Sequence, residues 1–252
     1  MLRRASALVL AAFALVAAGC SGAEGQRAQE LLQQAEAAQQ NVRSATFELE
    51  LTATFEGQAV GATLRGGGYW KGTRAGDMFF EATTSGALGA YDFAFVANKG
   101  RMAMKTGGRW ETMPGSAAVR SSLGTVGSRD LGSAAFLELA RYVKKVRVTE
   151  GQIVNGEPTA TISGTIDTAG LVEGLAKLQG LSELAGGAAP DMSELTKYLG
   201  DTRAAIAISE RTHLIRGAVV NLTVDAEGRQ IDLQLVYRLR DVNKPVRFPS
   251  GA

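Results

Sequence analysis

The stretch "TFELELTATF", residues 46–55, decides the fold of this 252-residue chain. Apolar side chains occupy every second position from Phe47 to Phe55, and threonine or glutamate fills the positions between them. Successive side chains of a β-strand point to opposite faces of a sheet, so the alternation predicts a strand with one buried and one solvated face. The fold must therefore cover one face of a sheet.

The same period of two recurs along most of the chain, with glycine-containing turns between the segments. Turn sequences such as Asn98-Lys99-Gly100 and Asn155-Gly156 are typical of β-hairpins. Counting these segments predicts about eleven strands, the sixth of which contains Trp110 on the apolar side. We therefore predict an α+β fold, in which a single, strongly curved antiparallel sheet forms an open half-barrel and helices cover its concave apolar face.

Three segments have a helical character instead. Residues 28–45 are rich in good helix formers, and residues 131–146 carry Phe136 and Val143 at helical spacing. Residues 168–200 have leucines in a helical rhythm broken by glycines, which predicts a cover of low rigidity that gates an apolar cavity. In an alternative that stays open, this leucine stripe packs permanently on the sheet. The leucines assigned to the cover are Leu171, Leu175, Leu178 and Leu181.

The N-terminus predicts export and lipid attachment. A basic start is followed by residues 5–19 without charge, which is too short a run for a membrane span and ends in small residues, as secretion signals do. The small residues before Cys20 resemble the lipobox of bacterial lipoproteins. That resemblance implies a signal peptide at 1–19, acyl chains such as palmitate on Cys20, and a lipidated tether at 20–26. The alternative is an ordinary signal peptide that leaves Cys20 as an unpaired thiol.

The charge balance excludes one class of partner. Loss of Arg3 and Arg4 with the signal peptide lowers the count of Lys and Arg from 27 to 25, which equals the 25 Asp and Glu. A neutral chain without a basic excess is not expected to bind nucleic acid. We expect one domain at 27–252, a monomer held at the extracytoplasmic face of the cell membrane, with membrane lipids as partners through Cys20 and in the cavity.

The order of these elements, together with three local stretches, carries a resemblance to a known family. The stretches are "VRVTEGQIVNGEPTATISGTID" (146–167), "AAIAISERTHLIRGAVVNLTV" (204–224) and "LRDVNKPVRFPSGA" (239–252). They resemble the LppX/LprAFG-type cell-envelope lipoproteins of the LolA/LolB-like half-barrel superfamily. The resemblance implies a carrier that binds acyl lipids or glycolipids and has no catalytic residues, and an envelope transport protein is a further expected partner.

The leading hypothesis is therefore a lipid-binding and lipid-transfer lipoprotein of the cell envelope. Burial of acyl chains against the concave face would drive binding. The rival hypothesis is an envelope sensor or scaffold that docks a protein partner without carrying lipid. The residues predicted to line the ligand cavity are Phe47, Leu49, Leu51, Leu64, Met78, Phe80, Phe93, Phe95, Ile162, Leu233 and Leu235.

Motifs typical of enzymes are missing from the sequence. His213 is the single histidine and Cys20 the single cysteine, so a zinc site or a Cys-His pair would lack partners, and we expect neither a cofactor nor a metal. His213 is interpreted as a surface residue at the start of a strand, and Glu48 and Glu50 as solvated charges. Arg216 is either a polar contact at the cavity rim or an exposed side chain at a strand end. Gly66–Gly68 is interpreted as a bend in the sheet rather than a phosphate cradle.

Overall fold

A computed structural model of the protein describes residues 22–86, 89–113, 133–167, 198–226 and 228–250. The described part contains two helices and eleven strands. In chain order these are α1 Ala23–Gln39, β1 Ser44–Phe55, β2 Gln58–Tyr69, β3 Met78–Gly86, β4 Asp92–Asn98, β5 Arg101–Thr106, β6 Arg109–Met113, α2 Ser133–Ala140, β7 Val143–Val154, β8 Glu157–Ile166, β9 Leu199–Ser209, β10 Ile215–Ala226 and β11 Arg229–Arg240.

All eleven strands belong to one antiparallel sheet, as predicted. Their order is β6-β5-β4-β3-β2-β1-β11-β10-β9-β8-β7, so each strand lies beside its neighbour in sequence except where β1 pairs with β11. The sheet is open, with β6 and β7 at its two edges. The hairpin turns are those that the sequence predicts; Asn155 and Gly156, for example, both have positive φ angles, of 51° and 78°.

The sheet has two distinct ends and two distinct faces. The lower end is the end at which β1 begins, at Ser44, and the upper end is the end at which β1 finishes, at Phe55. The apolar face is the face on which Phe47 lies, together with its register partners Leu239 and Gly66 and every second residue along each strand from them. The opposite face is called the outer face.

Helix α1 packs on the lower half of the apolar face. Its buried residues Gly25, Ala28, Leu31 and Ala35 form one stripe, and the last three belong to the main hydrophobic core. The helix begins at Ala23, five residues before the segment 28–45 in which the sequence predicts helical character. The stripe explains the earlier start, because Gly25 extends the buried face of the helix by one turn toward the N-terminus.

Helix α2 is shorter than the sequence predicts. It ends at Ala140, and Val143 begins β7 instead of continuing the helix. Phe136 stacks on Tyr237 of β11, with ring centroids 4.4 Å apart, and both side chains are buried. This contact ties α2 to the centre of the sheet. A cover over the remainder of the apolar face is not shown by the described residues.

The C-terminal residues 241–250 pack on the outer face near the lower end. Phe248 stacks on Tyr69 of β2, and the amide of Val246 donates a hydrogen bond to the Tyr69 hydroxyl at 2.9 Å. Trp110 packs against this same cluster. The prediction that Trp110 lies on the apolar side is therefore wrong, because the register of β5 and β6 pairs it with Lys105 on the outer face.

Gly66–Gly68 lies within β2 and is buried. A Cβ atom added at Gly66 would come within 2.5 Å of the Phe47 ring and 2.9 Å of the Phe80 ring. At this position, glycine leaves room for two aromatic side chains of the apolar face.

Candidate functional site

The register of the strands places all eleven predicted cavity residues on the apolar face. The row that begins at Leu49 illustrates this, because it runs through Leu64 on one side and through Tyr237, Ala218, Ile206 and Ile162 on the other. The alternation in the sequence is thus sufficient to assign the face. What it does not distinguish is which of these residues are core and which remain accessible.

Several of the predicted cavity residues are core. Phe47 and Ile162 are only 4% and 1% exposed and belong to the main hydrophobic cluster beneath α1 and α2. Met78 and Phe95 are similarly buried in a second cluster on β3, β4 and β5. These four side chains are part of the hydrophobic core in the structure, where they stabilise the fold.

The upper half of the apolar face is different on β2, β1, β11 and β10. Leu51, in the middle of β1, is 39% exposed although its register neighbours are Ala62 and Leu235. None of the apolar side chains around it reaches full burial. We call this surface the open strip; it consists of Leu51, Ala53, Phe55, Val60, Ala62, Val220, Leu222, Val224, Ile231, Leu233 and Leu235.

The open strip contains three of the predicted cavity residues, namely Leu51, Leu233 and Leu235. The other eight were not among the predicted cavity residues, although their period of two was visible in the sequence. A contiguous apolar surface across four strands is larger than the scattered exposed leucines and valines of ordinary protein surfaces. It is therefore the candidate site for a hydrophobic ligand.

The predicted cover and the predicted lipid attachment site lie outside the described residues. These are Leu171, Leu175, Leu178 and Leu181, and Cys20. The described residues that flank the cover, Asp167 after β8 and Tyr198 before β9, both stand at the upper end of the sheet.

Glu48 and Glu50 project from the outer face, as predicted, but they are not simply solvated. Arg238 of β11 contacts both carboxylates, at 2.6 Å from Glu50 and 3.3 Å from Glu48, and Arg65 and Arg240 flank Glu48. The hydrogen bond from Arg238 is the main reason that the pKa of Glu50 lies below its usual value. The same pair raises the pKa of Arg238. These charges form a ladder of ion pairs that links β2, β1 and β11 on the outer face.

Arg216 lies at a β-bulge at the lower end of β10, the end opposite to the open strip. Its guanidinium contacts the Glu157 carboxylate at 2.9 Å, and the two side chains are only 13% and 17% exposed. Arg216 is therefore not an exposed strand end. His213 precedes β10 in a turn, with a positive φ of 55° and a buried Nδ1, rather than on a strand surface.

A depression of about 570 Å³ lies on the outer face across β1, β11, β10 and β9. Its lining is mainly hydroxyl, amide and charged side chains, so it is unsuited to acyl chains. Only Leu233 among the predicted cavity residues borders it. The lining residues are Thr52, Thr54, Arg203, Asn221, Leu222, Thr223, Asp232, Leu233 and Gln234.

Within the described ranges, no three His, Cys, Asp or Glu side chains are grouped so that they could hold a metal ion. None of the helices in those ranges combines the length and the apolar character needed to cross a membrane.

No protein-family model matches the sequence, and no curated protein matches it. Among solved structures, the chain is similar to LprF from Mycobacterium bovis, with 16% identity, coverage of 90% of this chain and 98% of LprF, and a TM-score of 0.46. It is also similar to the MucA/MucB complex structure from Pseudomonas aeruginosa, with 12% identity, coverage of 88% and 59%, and a TM-score of 0.34. A LolA superfamily protein from Nitrosomonas europaea aligns at 6% identity, with coverage of 88% and 94% and a TM-score of 0.20.

Proposed function

We propose that the protein is a membrane-anchored lipoprotein that binds acyl lipids or glycolipids on the apolar face of its sheet and transfers them within the cell envelope. It acts by binding and not by catalysis. Cys20 is the attachment point for the acyl chains that hold it at the membrane, since stable anchoring takes more than one chain and a diacylated cysteine provides two.

The open strip is the observation that carries this proposal. Its side chains are aliphatic except for Phe55, and the charged Arg229 borders them only at the upper end, where its guanidinium lies 5.9 Å from the centroid of the Phe55 ring. Burying apolar surface contributes about 25 cal/mol per Å², or about 0.8 kcal/mol for each CH₂ group. A ligand with a long alkyl chain therefore gains affinity from every methylene that it lays on the strip, and the strip selects for chain bulk more than for the head group.

The anchoring is tested by acylation. Cells that express the full chain are fed a labelled palmitate analogue, and the wild type is compared with Cys20→Ser. We expect label on the wild type alone and release of the variant from the membrane fraction. Equal labelling of both proteins would contradict the assignment of Cys20.

Ligand binding is tested with two adjacent substitutions on β1. Leu51→Asp puts a carboxylate on the open strip, whereas Thr52→Asp puts the same group on the outer face one residue away. Both positions are exposed, so neither change should unfold the protein. The chain from residue 20 onward, which includes every described contact, is used with Cys20→Ser and a fluorescent fatty acid.

We expect Leu51→Asp to weaken binding of the fatty acid by about tenfold or more, because a carboxylate cannot be buried without a partner. Thr52→Asp should bind like the parent protein. Mass spectrometry of the parent, purified from its native envelope, should find co-purified lipid. A parent protein that carries no co-purified lipid and does not bind the fluorescent fatty acid would overturn the lipid-binding proposal.

One observation favours the rival function of protein docking. Ile153, on the edge strand β7, is 68% exposed, and β7 has β8 as its one strand neighbour in the described part of the chain. An unpaired edge can accept a strand from a partner. Should the lipid tests fail, capture of an envelope protein that is lost on Ile153→Lys would assign the docking function.

A further inference from the structure

Four separate segments of the chain meet at the lower end of the sheet. The backbone amide of Trp70 donates to the carbonyl of Arg43 at 2.7 Å, which joins the β2–β3 turn to the residues before β1. The amide of Lys99 donates to the Asp77 carboxylate at 2.9 Å, which joins the β4–β5 turn to the β2–β3 turn. These bonds fix three of the segments relative to one another.

The C-terminal tail is the fourth segment. The amide of Asn243 donates to the carbonyl of Ser44 at 2.7 Å, and the Asn243 side chain accepts a hydrogen bond from the amide of Arg43. The guanidinium of Arg74 lies 4.1 Å from the centroid of the Tyr69 ring and 5.3 Å from that of the Phe248 ring. The four segments therefore form one continuous surface, which we call the basic end; it consists of residues 40–44, 70–77, 98–101 and 241–250.

The basic end carries seven cations and two acids, so its net charge is +5. Both acids are already engaged, because Asp77 contacts Arg74 at 2.9 Å and Asp241 lies 3.5 Å from Lys244. Five exposed cations make no ion pair within the described part of the chain, and these are Arg43, Lys71, Lys99, Arg101 and Arg247.

The positive charge of the basic end contrasts with the neutral charge of the chain as a whole. The chain from residue 20 onward has 25 basic and 25 acidic residues, so its net charge is zero and the remainder of the chain must be acidic by five units. A neutral protein with +5 at one end has a directed attraction for an anionic surface, and it is repelled in the opposite orientation.

We propose that the basic end docks on the anionic head groups of a lipid membrane. The proposal rests on the proposed lipid-binding function only for its purpose, which is to orient the sheet on the bilayer. Each Lys or Arg brought to an anionic membrane surface contributes about 1 kcal/mol, and the contribution falls off within a Debye length of about 8 Å.

The placement of the cations in the basic end favours a membrane over an anionic polymer. They stand on turns and on the tail at the lower end of the sheet, and none of them lines the depression on the outer face. Polymer chains such as single-stranded nucleic acids are bound in basic grooves with exposed aromatic stacking platforms. Head groups in a fluid bilayer, in contrast, rearrange around cations that stand on separate segments.

The test uses two matched double variants of the chain from residue 20 onward with Cys20→Ser. Lys99→Glu with Arg101→Glu changes a lysine of positive φ and a strand arginine in the basic end. Lys145→Glu with Arg147→Glu changes the same kinds of residue on β7, far from the basic end. Both variants alter the net charge equally, and urea midpoints check that both remain folded.

Binding is measured by co-sedimentation with vesicles of phosphatidylcholine, with and without phosphatidylglycerol. We expect the parent protein to bind the anionic vesicles and to dissociate as salt is raised. The Lys99/Arg101 variant should bind at least about thirtyfold more weakly, since it loses two cations, and the Lys145/Arg147 variant should bind like the parent.

Three outcomes would overturn the proposal. These are no preference for the anionic vesicles, an equal loss of binding in the two variants, or binding of soluble dextran sulfate that depends on Lys99 and Arg101 without any binding of vesicles. Uptake of the fluorescent fatty acid is measured on the same proteins. If the parent docks on vesicles but takes up no fatty acid, the proposed function fails and the docking surface stands.

Discussion

Replacing Gly66 with alanine tests whether the lower half of the apolar face is a filled core or an open cavity. The new Cβ would lie 2.5 Å from Cζ and 2.7 Å from Cε1 of Phe47, and 2.9 Å from Cδ1 of Phe80. Carbon atoms in contact prefer separations of about 3.5–4.0 Å, so at least one ring must move by about 1 Å.

The magnitude depends on whether the Phe47 ring has room. Phe47 is 4% exposed, and its ring centroid lies 6.1 Å from that of Phe80 and 6.4 Å from that of Tyr237. Overpacking a filled core costs about 1–3 kcal/mol. Alanine regains about 0.4–1 kcal/mol by restricting the unfolded chain. We therefore expect Gly66→Ala to lower the free energy of unfolding by about 1–2 kcal/mol.

Gly61→Ala on the same strand is the matched control. Its Cβ would meet only the hydroxyl oxygen of Ser85, at 2.8 Å, and that exposed side chain can rotate away, so we expect a change within about 0.5 kcal/mol. Urea unfolding at constant m-value measures both variants. Gly66→Ala combined with Phe47→Leu should recover part of the loss as a favourable coupling energy. If Gly66→Ala is as stable as Gly61→Ala, Phe47 faces open space and the assignment of a core beneath α1 is wrong.

The ion pairs yield further predictions. Arg238→Met should raise the pKa of Glu50, which carboxyl-carbon NMR can measure. Because the pKa of Glu50 is lowered in the folded protein, the stability that Arg238 confers is present near neutral pH. That stability is lost as the pH falls through the folded-state pKa of Glu50. Arg216→Met leaves the mostly buried Glu157 with only the more distant Arg211 as a partner, so it should lower the free energy of unfolding by about 2 kcal/mol. Adding Glu157→Gln to this variant should recover most of that loss. Equal urea midpoints for the single and the double variant would contradict this. Phe248→Ala should detach the C-terminal tail, so limited proteolysis should cut the variant near its C-terminus at protease levels that spare the parent protein.

Local features of the fold could be predicted because their physics is local. The period of two in residues 46–55 required no partner to be recognised, and glycine or asparagine at positive φ marks most of the tight turns regardless of what lies around them. The face assignment of Phe47 or Leu51 followed from the same alternation. Trp110 was misplaced because β6 has only five residues, too few for the alternation to fix which face it shows.

Features that depend on distant pairing could not be predicted. The ladder of Glu48, Glu50 and Arg238 joins residues about 190 positions apart, and it exists only because β1 pairs with β11. The basic end likewise assembles from four segments, each of which contributes only one or two cations. None of these four segments alone has a net charge above +2, so the composition indicated a neutral chain while the fold gathers +5 on the basic end.

The open strip follows from the dimensions of the helices. Helix α1 has 17 residues and is therefore about 25 Å long, which matches the five strand spacings of about 4.8 Å that separate β7 from β1. It crosses those strands as a rod about 10 Å wide, whereas a 12-residue strand such as β1 is about 40 Å long. Helix α2 adds only eight residues. These two helices can bury the lower rows of the apolar face but not the rows from Leu51 to Phe55. Burial of those rows needs another apolar body, and the response of fatty-acid binding to Leu51→Asp distinguishes a lipid from the leucines predicted for the cover, which lie outside the described residues.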